Sequence, residues 1–472
     1  MISTPDFPTA DHMINYPHYN CNTTLNVPPL HIPRHSVTYS AHYNNIPVYI
    51  ILITNNLGKN RVRKKKWGIL KDQTSSIQYH NFATMPHHPQ TTADSAGIYL
   101  HIPFCKQACV YCNFHFSTSL KNKKELLQAM EQEIKMQREY LQGAPIETVY
   151  FGGGTPSLLS ADEINHLFDT ILKYYPVNEL KECTLEANPD DLDKNYLQSL
   201  RGTPINRLSI GVQSFHENDL LYMHRAHNAQ QADYAIKAAQ DAGFTNLSID
   251  LIYGTPGLSD KGWKENLAKI NELHIPHFSS YALTVESKTT LSHAIKNKKA
   301  TPIDPEQSAT QFEILMQQAA EMGYEHYEIS NLARPGMHAI HNTNYWRGRH
   351  YLGIGPSAHS FNGTSRSWNI ANNALYTKSI LEENKLPSEQ EQLTQTEHLN
   401  EYIMTSLRTM WGCDLNKIID EWDNTYASMV EKSSHLFQEK KWLIQNNKKL
   451  FLTNEGKLFA DAIAAELFIS DA

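Results

Sequence analysis

"GIYLHIPFCKQACVYCNF", residues 97–114, sets a short apolar run directly before three cysteines spaced C-x3-C-x2-C. The run "GIYLHI" has the composition of a strand. The loop after it holds Cys105, Cys109 and Cys112 within eight positions, whereas the other cysteines of the 472 residues, Cys21, Cys183 and Cys413, are scattered. Clustered thiols in a chain without a secretory signal read as metal ligands or catalytic groups rather than as a disulfide framework. A structural zinc site generally takes four ligands, and here His101 or His115 would have to supply the fourth. A four-iron cluster normally takes four thiolates, so three would leave one iron open to another ligand.

Downstream, further β-rich runs appear: "ETVYFGG", "CTLEAN", "INRLSIGV", "TNLSIDLIYG" and "HFSSYALT". Amphipathic stretches lie between them, among them "SADEINHLFDTILKYY", where Ser160 and Glu163 make a capping-box signature. "DKGWKENLAKINEL" and "PEQSATQFEILMQQAAEMGY" are of the same kind. Strands separated by helices predict right-handed parallel βα units. Six units predict an α/β fold, a complete or partial barrel with its site at the C-terminal ends of the strands. The cysteine loop then stands at the exit of the first strand.

The flanks differ in texture. Residues 1–84 are rich in Asn, His, Tyr, Thr and Pro, without sustained periodicity. They read as an irregular extension that is disordered, a targeting segment, or upstream sequence foreign to the natural protein. Met85 makes a sensible start, and Cys21 is expected to be inert. Residues 85–384 are assigned to the barrel, and 385–472 to a smaller, mainly helical C-terminal domain of winged-helix-like shape, with a hairpin in "KWLIQNNKKLFLTNEG". From Ser388 onward, 8 Lys and Arg stand against 14 Asp and Glu, which argues against phosphate binding there. The whole chain has a net charge of −7, which argues against a nucleic-acid partner. Its best apolar run, "IPVYIILI" (46–53), is far short of the roughly 18 residues of a transmembrane segment. A cytoplasmic protein is expected.

The cysteine spacing resembles that of the radical S-adenosylmethionine (SAM) superfamily, which implies a partial (βα)6 TIM-like barrel. It also implies a 4Fe–4S cluster held by Cys105, Cys109 and Cys112, with SAM on the open iron. "FGGGTPS" (151–157) is similar to the family segment that contacts the SAM amino group, which makes Gly153, Gly154 and Thr155 candidates. Glu186 of "TLEANPDD", Gln213 of "GVQSF", Arg225 of "MHRAH" and Asp250 of "SIDLIYG" are further SAM-site candidates, expected at successive strand ends. Carboxylates accept from ribose hydroxyls or an ammonium, while Gln and Arg fix a carboxylate. Tyr99 and Tyr111 are candidates to border the adenosyl group.

The resemblance narrows through "YLHIPFCKQACVYCNF", "YFGGGTPSLL", "RLSIGVQSF", "IDLIYGTPG" and "HNTNYW". Together these are similar to the branch of oxygen-independent coproporphyrinogen III oxidases and the HemW family, from about Ile98 to the end. The oxidase pattern continues C-x-C after the third thiol; here the sequence is Cys112-Asn113-Phe114, as in HemW proteins. "HNTNYW" (341–346) fits the motif associated with haem binding in that family, which makes His341 a haem-ligand candidate and His359 its rival. A polar turn whose aromatics plug the barrel is the plainer reading. Membership of the HemW family would imply a haem chaperone that serves respiratory enzymes. The alternative is the oxidase itself, which decarboxylates a porphyrinogen.

Overall fold

The structure, a computed structural model, describes residues 95–470. The extension expected over residues 1–84, with Cys21, lies outside the described residues.

The six apolar runs form β1 (Ala96–Ile102), β2 (Ile146–Gly153), β3 (Glu182–Ala187), β4 (Arg207–Gln213), β5 (Leu247–Tyr253) and β6 (His277–Ala282). Each pairs in parallel with the next. A parallel pair needs a long crossover, and helices supply it: α1 (Lys123–Met136), α2 (Ala161–Tyr174), α3 (Lys194–Leu200), α4 (Glu217–Tyr222), α5 (Ala229–Asp241) and α6 (Asp260–Glu272). Beyond β6 come α7 (Thr290–Lys296) and α8 (Pro305–Glu321).

The local rules that mark these helices in sequence also hold in space. Ser160 Oγ accepts from the Glu163 N–H at 3.2 Å, and Glu163 Oε2 accepts from the Ser160 N–H at 2.8 Å. This reciprocal cap starts α2. Ile164, Leu167, Phe168 and Ile171 then fall at three- and four-residue spacing and are buried against the sheet. Each such side chain contributes about 1.5–3 kcal/mol of hydrophobic burial.

The sheet runs past the six predicted strands on both sides. β7 (Glu325–Glu328) and β8 (Asn331–Ala333) add antiparallel beyond β6. After the short helix α9 (Ile340–Trp346), β9 (Tyr351–Ile354) pairs in parallel with β1. Next come β10 (His359–Phe361), β11 (Ser365–Asn369), α10 (Asn373–Leu381) and β12 (Ser388–Gln392). β10 pairs antiparallel with β9, β11 with β10, and β12 with β11. The twelve strands form one sheet whose two ends, β12 and β7, do not pair among the described residues. The barrel is therefore partial and open. "SEQEQ" at the head of the stretch expected to be helical is an edge strand instead. All five of its residues are exposed, so it carries no apolar alternation to mark it.

The rest is mainly helical: α11 (Gln395–Leu407), α12 (Leu415–Glu421), α13 (Asn424–Glu439), α14 (Asn454–Lys457) and α15 (Ala460–Glu466). The expected hairpin is β14 (Leu443–Asn446) and β15 (Lys449–Leu452), joined by β13 (Cys413–Asp414). These elements enclose a second core around Leu399, Ile403, Val430 and Ile463. No helix among the described residues is long and apolar enough to cross a membrane.

Candidate functional site

The C-terminal end of β1 leads directly into the cysteine loop. Cys105, Cys109 and Cys112 are all thiols and partly exposed, whereas Cys183 lies fully buried in β3 and Cys413 in the second core. Neither buried thiol is placed to serve as a fourth ligand.

The loop is pinned from three directions. The Thr155 N–H donates to Phe104 O at 2.6 Å, and the Gly154 N–H to Ile102 O at 2.9 Å. Lys106 pairs with Asp190, at 2.9 Å, and with Asp191, both on the exit of β3. Gln107 Nε2 donates to His224 O at 2.9 Å, and the Val110 N–H to Met223 O at 3.3 Å. A Cβ on Gly154 would lie 2.6 Å from Phe104 O, so the glycine turn and the cysteine loop touch backbone to backbone.

Arg225 binds the loop to two strand exits. Its Nη1 donates to Cys109 Sγ at 3.2 Å and to Tyr111 Oη at 3.4 Å; its Nη2 donates to Asn188 Oδ1 and Gly211 O, both at 2.8 Å. Its Nε is buried with no partner among the described residues. A buried, unpaired donor needs an acceptor, and a ligand carboxylate would supply one. Burial pushes the Cys112 thiol up to about 12 and also raises Cys105, against a hydrogen bond from Thr155. Iron binding at this loop must displace protons from these sulfurs.

Glu186 lies near the end of β3 and faces the barrel interior. It accepts from Tyr150 Oη at 2.8 Å and from the Gly153 N–H at 3.1 Å. Burial raises its pKa to about 7, and Asp250 adds repulsion while the two donors oppose the rise. A carboxylate has about four acceptor sites, so capacity for further donors remains. The N–H groups of Gly153, Gly154 and Thr155 are all spent inside the protein. The turn therefore offers a ligand acceptors rather than donors, the polarity an ammonium requires. Tyr99, on β1, stacks on Tyr150 with ring centroids 5.9 Å apart and meets His101 Nδ1 at 3.2 Å.

Gln213 ends β4 with φ of +66°, where the pairing with β5 slips register. This left-handed backbone costs a non-glycine residue roughly 1–2 kcal/mol, and strain of this kind gathers at ligand sites. Two expected placements need correction. Asp250 sits in the middle of β5, not at its end, where burial raises it to about 6. Arg225 follows α4 in a loop and reaches the site through its length. Asn188, two residues beyond Glu186, was missed. It accepts from Arg225 and donates to Thr155 Oγ1 at 3.3 Å. Its signal was its place within "TLEANPDD".

His341 is elsewhere. It sits at the start of α9, which closes the N-terminal end of the barrel, opposite the cysteines. A Cβ on Gly97, near the start of β1, would lie 3.1 Å from its ring. Its Nδ1 meets Thr148 Oγ1 at 2.8 Å, its Nε2 meets Tyr345 Oη at 2.7 Å, and the residue is only 2% exposed. A haem ligand needs a ring nitrogen open to iron, and here both His341 ring nitrogens are engaged by hydroxyls. His359, on β10, stacks near Trp368 with centroids 6.1 Å apart.

A zinc site fares poorly. His101 Nε2 meets His115 O at 2.9 Å, and His115 Nε2 meets Asn373 Oδ1 at 2.7 Å. Among the described residues no three His, Cys, Asp or Glu side chains converge on one ion. Three thiols on one loop beside a guanidinium suit a cluster whose irons each take one sulfur.

Residues 99–270 match the family model of the radical SAM superfamily, and 393–459 that of the HemN C-terminal domain. The chain is 31% identical to "Heme chaperone HemW" of Bacillus subtilis over 77% of its own length and 97% of that relative. The protein of the same name from Mycobacterium tuberculosis is 31% identical, over 83% of this chain and 98% of the relative. Among solved structures, coproporphyrinogen III oxidase (HemN) from Escherichia coli, a radical SAM enzyme, aligns with a TM-score of 0.70 at 22% identity, covering 80% of this chain and 91% of that one. The oxidase shares the fold, whereas the sequence runs nearly end to end with the other group: the chain belongs to the HemW family of radical SAM proteins.

Proposed function

We propose that this protein is a haem chaperone that works in the cytoplasm and passes haem to respiratory enzymes. Its superfamily implies a 4Fe–4S cluster and SAM. The observation that carries the reading is the 31% identity across 97% of a relative named as a heme chaperone. Phe114 supports it: an apolar side chain, 45% exposed, stands where the oxidase pattern has another cysteine.

When bound, the cluster and SAM supply one-electron reductive chemistry. The chain's own residues position and enclose. Cys105, Cys109 and Cys112 would hold three irons. Arg225 would neutralise charge at Cys109 and direct its unpaired Nε–H at the SAM carboxylate. The Gly153–Thr155 turn and Glu186 would take the ammonium and ribose hydroxyls. Gln213 and Asp250 would flank the same site, with Tyr99 and Tyr111 bordering the adenosyl group.

Parallel assays on one anaerobically reconstituted sample test the reading. Haem should shift the Soret band on titration, and coproporphyrinogen III with SAM and reductant should yield no protoporphyrinogen. An absent Soret shift refutes the chaperone, and product formation would establish the oxidase.

A further inference from the structure

Asp250 of β5, Ser279 of β6, Asn331 of β8 and Glu328 of β7 are register partners in turn across four neighbouring strands. Their side chains are joined as well. Asp250 is hydrogen-bonded to Ser279. Ser279 Oγ donates to Asn331 Oδ1 at 3.1 Å, and Asn331 Nδ2 donates to Glu328 Oε2 at 2.6 Å. Glu328 Oε1 accepts from Arg408, which also pairs with Asp461 of α15. Ser279, Asn331, Glu328 and Arg408 are all buried. The row runs unbroken from the barrel interior to the helical C-terminal part.

The direction of the bonds is fixed from the outer end. An ionised Glu328 only accepts, so Asn331 turns Nδ2 towards it and Oδ1 towards Ser279. A hydroxyl has one proton, and two acceptors, Asn331 Oδ1 and the Asp250 carboxylate, compete for it here. A proton on Asp250 ends the conflict, because Asp250 then donates to Ser279 Oγ. Burial, which raises the Asp250 pKa to about 6, brings that proton within reach. Tyr150 of β2, Glu186 of β3, Arg207 of β4 and Arg225 beyond α4 also act on Asp250 electrostatically.

We propose that this row is a relay through which the Glu328–Arg408 junction sets how Asp250 meets SAM, with Asn331 and Ser279 as positioning residues. The inference rests on the reading that puts Asp250 in the SAM site, and adds its control by the C-terminal part.

Glu328→Gln reverses the relay. The new amide keeps its oxygen on the Arg408 guanidinium and turns its nitrogen to Asn331, which flips and presents Nδ2 to Ser279. The Ser279 proton then goes to Asp250 and favours the carboxylate that accepts from SAM. Glu328 stands three strand spacings, roughly 14 Å, from Asp250, a separation at which unlinked changes add. SAM affinity is measured by equilibrium dialysis on the full-length, anaerobically reconstituted protein. Glu328→Gln should bind SAM about threefold more tightly than the unaltered chain at pH 5.5 and equally at pH 8, where Asp250 is ionised in both. The gain should vanish when Ser279→Ala is added. No gain at pH 5.5, or a gain that survives Ser279→Ala, overturns the relay. If Glu328→Gln does not load iron, Ser279→Ala alone should move the acid loss of SAM binding to higher pH, and an unmoved profile overturns the relay. Asp250→Asn separates the two readings. A loss of at least tenfold in SAM affinity at pH 8 upholds Asp250 in the SAM site whatever the relay does, whereas an unchanged affinity removes both.

Discussion

Gly154 shows how little freedom a single residue has at the head of this barrel. The atoms that a methyl group would strike are backbone, Phe104 O at 2.6 Å and Phe104 N at 2.8 Å, and they cannot rotate away. Overpacking of this kind costs about 1–3 kcal/mol. Gly154→Ala should lower the urea midpoint accordingly and reduce bound iron, because the displaced turn carries Thr155 away from Cys105. Gly202→Ala, whose nearest atom would be 3.4 Å away, should do neither. The thiols divide in the same manner. Cys105→Ala, Cys109→Ala or Cys112→Ala should each abolish the brown absorbance of reconstituted protein, while Cys183→Ala, in the core of β3, should keep it. A cluster that persists in any of the first three would remove the assigned ligands.

At the scale of elements, α9 is the one whose sequence says least about its place. Glu182, the first residue of β3, caps it by accepting from the N–H groups of Ile340 at 2.7 Å and His341 at 3.1 Å. Burial, with the Arg207 charge adding, drives the His341 pKa down to about 3. The folded state thus refuses a proton that the unfolded chain accepts near 6.5. Stability from this group is complete above 6.5 and lost as pH falls towards 3. At pH 5 the loss is about 2 kcal/mol, from 1.36 kcal/mol per pH unit. His341→Gln should be less stable at pH 7 but lose about that much less between pH 7 and pH 5, as read by denaturant unfolding of the apo chain. Equal losses would place the acid sensitivity in other groups. The six parallel strands and α2 were legible in sequence because apolar period and capping chemistry are local. β7–β12 were not, since strands of three to five residues are too short to show a period and are fixed by their neighbours in the sheet. The cysteine trio and Glu186 were legible from spacing and strand context. The burial of His341 was not: "HNTNYW" has the same letters whether it faces a ligand or a Thr148 hydroxyl, and only the topology places it at the closed end.

Across the whole molecule, ion pairs join the barrel to the helical C-terminal part: Arg366 of β11 pairs with Glu401 of α11 at 2.6 Å, and a second cation, Arg408, is buried more deeply. Arg408, at the end of α11, donates from Nη2 to Glu328 Oε1 of β7 at 3.0 Å and from Nε to the same oxygen at 3.2 Å. Its Nη1 pairs with Asp461 of α15. Backbone bonds flank it: the Ile329 N–H donates to Arg408 O at 3.1 Å, and the Met410 N–H to Tyr327 O at 3.0 Å. A pair buried this deeply gains little over apolar packing, but removing one partner strands the others, at about 3–5 kcal/mol. Arg408→Met should therefore cost that much in urea unfolding, because Glu328 and Asp461 would face each other without a cation. The double change Glu328→Gln with Arg408→Met should recover part of the loss, since one stranded charge is gone. If the two losses simply add, Arg408 and Glu328 are not coupled, and the junction rests on its other contacts, Arg366–Glu401 among them.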